Sequence, residues 1–214
     1  MFMRRYPPLE TLKLKRKKQM LTVGDKLEPF EIVGVKPGAL TPEGAFETLT
    51  EKSFPGKWKV IMFYPKSFTF VCPTEIVAYD KLNGDFKDRD TILLMGCTDN
   101  EYCSLAWKNH HEDLKKTNSW MFADLIKQSQ DYNNDRYVEN GLAATLGVLD
   151  KVNGVPLRAT FIVDPNNVIQ HVTVNNLDVG RSPEETLRIL DALQTGELCP
   201  CNRAVGGETI CSIV

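Results

Sequence analysis

The stretch PKSFTFVCPTE, residues 65–75, sets a single thiol, Cys72, where an apolar run has ended and a helix is about to begin. A cysteine inside the preceding KVIMFY would read as core, but Cys72 lies beyond that run. The strand at 58–64 should stop at Pro65, and a helix should start near Pro73-Thr74-Glu75, with Cys72 in its first turn or just before it. Free backbone N–H groups and the positive end of the helix dipole favour thiolate over thiol at such a position. Thr69, three residues earlier, is placed to set its hydroxyl beside the sulfur. A nucleophilic thiolate also calls for a cation. Lys66 is flexible and solvated, so Arg158 in PLRATFIVD is the better choice. It opens a buried strand whose end should share a sheet edge with the strand holding Phe63. An arginine at the mouth of an apolar strand is ordinarily a rim ion pair. Its expected place relative to Cys72 favours the functional role, and the chemistry is attack by sulfur.

Six cysteines, at positions 72, 97, 103, 199, 201 and 211, suit redox chemistry better than the alternatives. The chain is too long and too rich in core for a small disulfide scaffold, and no secretory signal with an apolar h-region follows the basic start. Zinc sites want cysteine pairs two to four residues apart joined by a second pair or by histidines. Cys199-Pro200-Cys201 has one intervening residue and the nearest histidine, His171, lies far upstream, so no metal is expected. His110 and His111 are adjacent, and neighbours on a helix point in different directions, which disfavours a shared ligand site. Cys97 closes a core strand, and Cys103 follows Tyr102 in a helix facing Trp107. Packing is the expected role of both cysteines, and a core or dimer contact that of Trp107.

The elements that must position these groups alternate. WKVIMFY reads as a buried strand, TEIVAYDKLNGDF as an amphipathic helix, TILLMGC as a second strand and EYCSLAWKNHHEDLKK as a second helix. ATFIVD and VIQHVTV flank Pro165-Asn166-Asn167 and should form a hairpin. SPEETLRILDALQ closes the core as a helix, with Ser182 as N-cap, Pro183 at the first helical position and Gly196 as terminator. This order predicts a mixed sheet with helices on both faces. Residues 1–20 read as a flexible basic extension, with Met20 a second candidate start. Residues 128–141 read as a surface loop or insertion, and 197–214 as a tail without periodicity holding three of the six cysteines. The main domain is 21–196. No apolar stretch approaches the roughly 20 residues needed to span a bilayer. The first 20 residues carry a net +6 and the rest, with 19 basic and 27 acidic residues, a net −8. An acidic body argues against nucleic-acid binding.

Pro65-x-x-x-Thr69-x-x-Cys72 resembles the active-site signature of peroxiredoxins, and DFTFVCPTE is its form in their two-cysteine subfamily. Here Ser67 stands in place of the acidic residue. LRATFIVDPNN, VGRSPEETLRILDALQ and the tail GELCPCN reinforce the resemblance, which runs from about Leu21 to Arg203. It is most similar to bacterial alkyl hydroperoxide reductase C-type enzymes, in the branch with two tail cysteines one residue apart. The resemblance implies an α/β, thioredoxin-like fold with a mixed central sheet flanked by helices. It implies that Cys72 is the peroxidatic cysteine, that Pro65, Thr69 and Arg158 complete the peroxide site, and that Glu75 orients the arginine. It makes Cys199 the resolving cysteine, supplied by the partner subunit, with Cys201 accepting the disulfide by exchange or serving as a second resolver. It implies a hydroperoxide substrate and no cofactor. The electron donor would be a disulfide reductase, either thioredoxin-like, an AhpF-like flavoprotein or AhpD-like. It further implies a cytoplasmic homodimer assembling into a ring of dimers.

Family members that are easily overoxidised share a Gly-Gly-Leu-Gly loop and a C-terminal helix carrying Tyr-Phe. Residues 108–125 lack that loop and the chain ends GETICSIV, so resistance to overoxidation is expected. Two other readings compete. The family's rings also support a redox-regulated chaperone, which would protect clients independently of Cys72. A thioredoxin-like disulfide oxidoreductase is disfavoured because Cys72 has no partner at C-x-x-C spacing.

Overall fold

The computed structural model describes residues 20–125, 127–131 and 136–210, so all of the expected N-terminal extension except Met20 lies outside the described residues. The strands β1 (Glu31–Val35) and β2 (Phe46–Thr50) pair antiparallel ahead of β3 (Trp58–Phe63). Helix α1 (Val71–Lys81) and the short α2 (Asn83–Lys87) lead to β4 (Thr91–Cys97), α3 (Glu101–His110) and β5 (Trp120–Ala123). After β6 (Lys127–Asp131), β7 (Arg136–Asn140) and α4 (Leu142–Leu146) come the short pair β8 (Leu149–Asp150) and β9 (Val155–Pro156). The hairpin of β10 (Arg158–Val163) and β11 (Ile169–Asn175) and the helix α5 (Pro183–Thr195) complete the order.

Seven strands form one sheet in the order β11-β10-β3-β4-β5-β1-β2. The central β3, β4 and β5 run parallel, and β10 and β1 flank them antiparallel. The α/β mixed sheet flanked by helices is the predicted class. β3 is buried on both faces, which explains its unbroken apolar run. Val60 and Met62 pack with Tyr79, Met95 and Trp107 on one side, while Ile61 and Phe63 pack with Leu94, Phe122 and Phe161 on the other. Gly96 on β4 sits where a Cβ would come within 2.3 Å of the Phe122 backbone oxygen, so no larger residue fits between β4 and β5.

The termini of α5 follow the sequence signals. The Ser182 hydroxyl accepts from the Glu185 N–H, Pro183 opens the helix, and Gly196 ends it at φ +67°. The predicted hairpin forms too, its turn fixed by Asp164 Oδ1 accepting from the N–H groups of Asn166 and Val168.

Three readings are corrected. The segment 74–86 is not one helix, because it breaks at Leu82 just before Asn83-Gly84. The helix expected over 101–116 ends at His110; His111 turns extended, and 114–116 form a separate 3-10 turn. The polar 128–141 segment holds an antiparallel pair, β6 with β7, around residues 132–135, which lie outside the described residues. Its polar residues show no apolar alternation, yet backbone ladder bonds need none.

The aperiodic tail is ordered through polar bonds rather than an apolar stripe. Arg203 Nη1 donates to Asp191 Oδ2 at 2.7 Å, as does the Gly206 N–H at 2.9 Å, and Arg89 Nε reaches Asp191 Oδ1 at 3.1 Å. The Ile210 N–H closes the tail on the Leu198 carbonyl. Among the described residues no helix is long and apolar enough to cross a membrane.

Candidate active site

β3 delivers the chain to Tyr64 and a buried Pro65, and α1 begins at Val71, so Cys72 lies in the first helical turn as expected. The residue is closed in, at 1% exposure. The register pairs Thr160 with Met62, which brings Arg158, at the start of β10, level with Tyr64 at the same sheet edge. Arg158 Nη1 stands 3.5 Å from Cys72 Sγ and donates to Glu75 Oε2 at 2.7 Å, while its Nε donates to the Leu177 carbonyl at 2.6 Å. The guanidinium is therefore held on three sides.

Glu75 sits one turn after Cys72 and is bound by a second cation absent from the sequence reading. Arg181 donates its Nε to Glu75 Oε1 at 2.8 Å and its Nη2 to Oε2 at 3.0 Å, and its backbone N–H also reaches Oε1. Arg181 Nη1 is fixed in turn by the Ala159 carbonyl at 2.7 Å. These side chains are at most 5% exposed. Two guanidinium ions against one carboxylate leave an excess of one positive charge in a buried site, where unpaired charge is costly. An anionic sulfur at 3.5 Å from Arg158 would balance it. The quoted motif VGRSPEETLRILDALQ contains Arg181 but gives it no role, and its partner Glu75 stands 106 residues away.

The structure gathers Cys72, Glu75 and Arg158, and it buries Pro65 just after β3. Thr69 is in the same loop, but its hydroxyl donates to the Lys66 carbonyl at 3.0 Å and makes no hydrogen bond to Cys72. Between them Phe68 adopts φ +56°, a left-handed backbone that an L side chain rarely takes. Phe70, just ahead of α1, is 94% exposed.

The other thiols divide by environment. Cys97 is fully buried, and burial, with the charge of Asp99, pushes its thiol up to about 12, which keeps it protonated and unreactive. Cys103 is only half-buried at the start of α3 rather than in the core, and burial and Asp99 push its thiol up as well. Cys199 lies half-buried against the end of α5, its sulfur 3.5 Å from Thr195 Oγ1 and 3.7 Å from the Ala192 carbonyl. Cys201 is exposed, and Cys211 falls outside the described residues. His110 packs near Phe68, whereas His111 Nδ1 accepts from the Asp113 N–H, so the two imidazoles meet different neighbours. No group of three or more metal-ligating side chains occurs among the described residues.

Known proteins fit this geometry. The AhpC/TSA family pattern matches residues 23–172. Alkyl hydroperoxide reductase C of Mycolicibacterium smegmatis is 45% identical over 197 residues, covering 89% of this chain and 94% of its own. The mitochondrial thioredoxin-dependent peroxide reductase of Homo sapiens is 40% identical over 181 residues, 81% of this chain and 65% of its own. Among solved structures, Mycobacterium tuberculosis AhpC superposes with a TM-score of 0.71 at 41% identity, over 86% of this chain and 99% of its own. The reduced 2-Cys peroxiredoxin of Plasmodium vivax gives a TM-score of 0.72 at 32% identity, over 88% and 92%. A helix-borne thiol against a caged arginine, in a chain with these relatives, leads to one assignment: the chain belongs to the AhpC/TSA family and is a peroxiredoxin, a thiol-dependent peroxidase.

Proposed function

We propose that Cys72 is the peroxidatic cysteine of an enzyme that reduces hydrogen peroxide and organic hydroperoxides, and that Cys199 of a partner subunit resolves it. The observation that carries this reading is the 3.5 Å approach of Arg158 Nη1 to Cys72 Sγ, with the arginine fixed by Glu75. The thiolate attacks the terminal oxygen of the peroxide, the O–O bond breaks, and the departing oxygen takes a proton to leave as water or an alcohol. Sulfur is left as a sulfenic acid. Arg158 stabilises the anionic sulfur and the charge that develops on the breaking bond. Pro65 walls the site from water. Thr69 takes part once its hydroxyl turns from the Lys66 carbonyl to the bound peroxide.

The Cys199 thiolate then displaces water from the sulfenic acid to give a disulfide. Cys72 is too enclosed for a second sulfur to reach it, so the first turn of α1 must open, and Cys199 must leave its contacts with Thr195 and Ala192. Cys201, two residues on and exposed, accepts the disulfide by exchange or resolves in place of Cys199. A disulfide reductase, thioredoxin-like, AhpF-like or AhpD-like, returns the two electrons. In this reading residues 21–196 are the peroxidase domain, 197–214 the resolving tail and 1–20 a basic extension. The working unit is a cytoplasmic homodimer within a ring of dimers. Peroxide consumption by Cys72→Ser tests the reading: turnover should vanish, and client protection persisting without it would instead favour the chaperone.

A further inference from the structure

Ser67 begins the segment that leads to Cys72, and it is buried. Its backbone N–H donates to Asp99 Oδ2 at 2.8 Å. The same oxygen accepts from the Cys97 thiol at 3.4 Å, and Ser67 Oγ lies 3.7 Å from Cys97 Sγ. Ser67, Cys97 and Asp99 thus form a closed triangle joining the loop after β3 to the loop after β4. Because Cys97 stays protonated up to about 12, it is a lasting donor to the carboxylate. The triangle adjoins the buried hydroxyl of Tyr64, which faces Cys97, Ser67 and Ser104.

The residue after Ser67 is Phe68, at φ +56°. Such a backbone persists only where its surroundings over-determine it. The Thr69 bond to Lys66 lies within the loop itself, and the Phe68 ring makes only tilted contacts with Trp107 and His110, at 5.9 and 6.2 Å. The carboxylate of Asp99 fastens the loop to a different element by a charge-assisted bond. Four residues of backbone separate that bond from Cys72.

We propose that Asp99 is a positioning residue for peroxide reduction: through the Ser67 N–H it holds the strained segment that sets Cys72 against Arg158. This rests on Cys72 being the nucleophile, but it names a residue that touches neither the sulfur nor the peroxide. The reason is geometric, since a misplacement of about 1 Å at a reacting group costs about a hundredfold in rate.

The test is the second-order rate of Cys72 oxidation by hydrogen peroxide, measured in a single turnover by rapid quench and mass spectrometry and expressed per folded molecule. Asp99→Ala should slow it by about tenfold or more. Asp99→Asn, whose amide oxygen still accepts from the Ser67 N–H, should restore it to within about threefold of wild type. Conversion of the sulfenic acid to disulfide should not slow in Asp99→Ala, because a freed loop opens more readily. A role in stability alone would change the folded fraction and leave the rate per folded molecule intact. Should Asp99→Ala fail to fold, Asp99→Glu, with its carboxylate displaced by one methylene, carries the test, and slowing of about fivefold is expected. Oxidation within about twofold of wild type in the folded variant would overturn the proposal. Cys72→Ser run in parallel separates the two claims: peroxide turnover surviving there overturns the assignment of Cys72, whereas its loss beside an unaffected Asp99 variant overturns only the role of Asp99.

Discussion

Glu75 shows how much of the site depends on one buried carboxylate. It accepts four hydrogen bonds from two arginines, so Glu75→Gln leaves two enclosed guanidinium ions short of their counter-charge. Breaking a buried ion pair by removing one partner costs about 3–5 kcal/mol, and urea unfolding of Glu75→Gln should show a loss of that order. Arg158→Ala acts on the other side of the pair. It removes the cation beside the sulfur, and peroxide reduction should fall by at least about a hundredfold, as single-turnover oxidation of Cys72 would show. An unchanged rate would take Arg158 out of the chemistry. Cys72 and Arg158 were both legible in the sequence, one from its place at a strand-to-helix turn and the other from its place at a strand mouth. Arg181 and Asp99 were not, because each lies in a loop, without a strand mouth or helix start to mark it, and its partner is distant: Glu75 106 residues from Arg181 and Ser67 32 from Asp99. Thr69 was legible as a neighbour of Cys72 in the chain, but which way its hydroxyl turns is decided by the Lys66 carbonyl.

At the scale of elements, what could be read from sequence was what burial on both faces or end chemistry imprints. β3 and β4 show as continuous apolar runs, the β10–β11 hairpin by its Pro-Asn-Asn turn, and α5 by Ser182-Pro183 and Gly196. β1, β2 and β5 left no such mark. β1 and β2 mix exposed with buried positions, and β5 is four residues long beside the irregular 111–119 stretch. Packing between β4 and β5 gives a direct test. Gly96→Ala forces a Cβ onto the Phe122 backbone and ring, each of which comes within 2.3 Å of its ideal position. Overpacking of this kind costs about 1–3 kcal/mol, seen as a lower denaturant midpoint, and a midpoint equal to wild type would show that the strands separate freely. The clasp on α5 predicts a pH response. Burial works against the Asp191 carboxylate, but the Gly206 N–H, Arg203 and Arg89 outweigh it and hold the carboxyl below its usual value. A lowered value means that docking is stabilised above the ordinary carboxylate range near about 3.9 and lost as pH falls through the lower folded-state value. Protection of the 197–210 amides relative to their intrinsic exchange rates should therefore hold from neutral pH down to the ordinary carboxylate range and fall below it. Protection that falls between pH 7 and 5 would assign the docking to another group.

For the whole molecule, turnover through a disulfide requires two sulfurs that are both tucked away to meet. Cys72 is enclosed beneath the first turn of α1, and Cys199 rests on α5, with the described tail bonded to α5 through Asp191. The competition between disulfide formation and a second peroxide is set by how readily these two segments open. With no Gly-Gly-Leu-Gly stretch in 108–125, resolution should win. At millimolar peroxide with a suitable reductant, intact mass should show little addition of two oxygens to Cys72, and rapid inactivation with that mass shift would contradict this. The central claim, that Cys72 attacks the peroxide and passes its oxidation to the tail of a second subunit, is tested most directly by mapping the cysteines after one equivalent of hydrogen peroxide. Non-reducing peptide mass spectrometry of the fully reduced protein so treated should recover Cys72 joined to Cys199, in a species that runs as a dimer until reductant is added. Recovery of Cys72 as a free thiol while the peroxide has been consumed would contradict it.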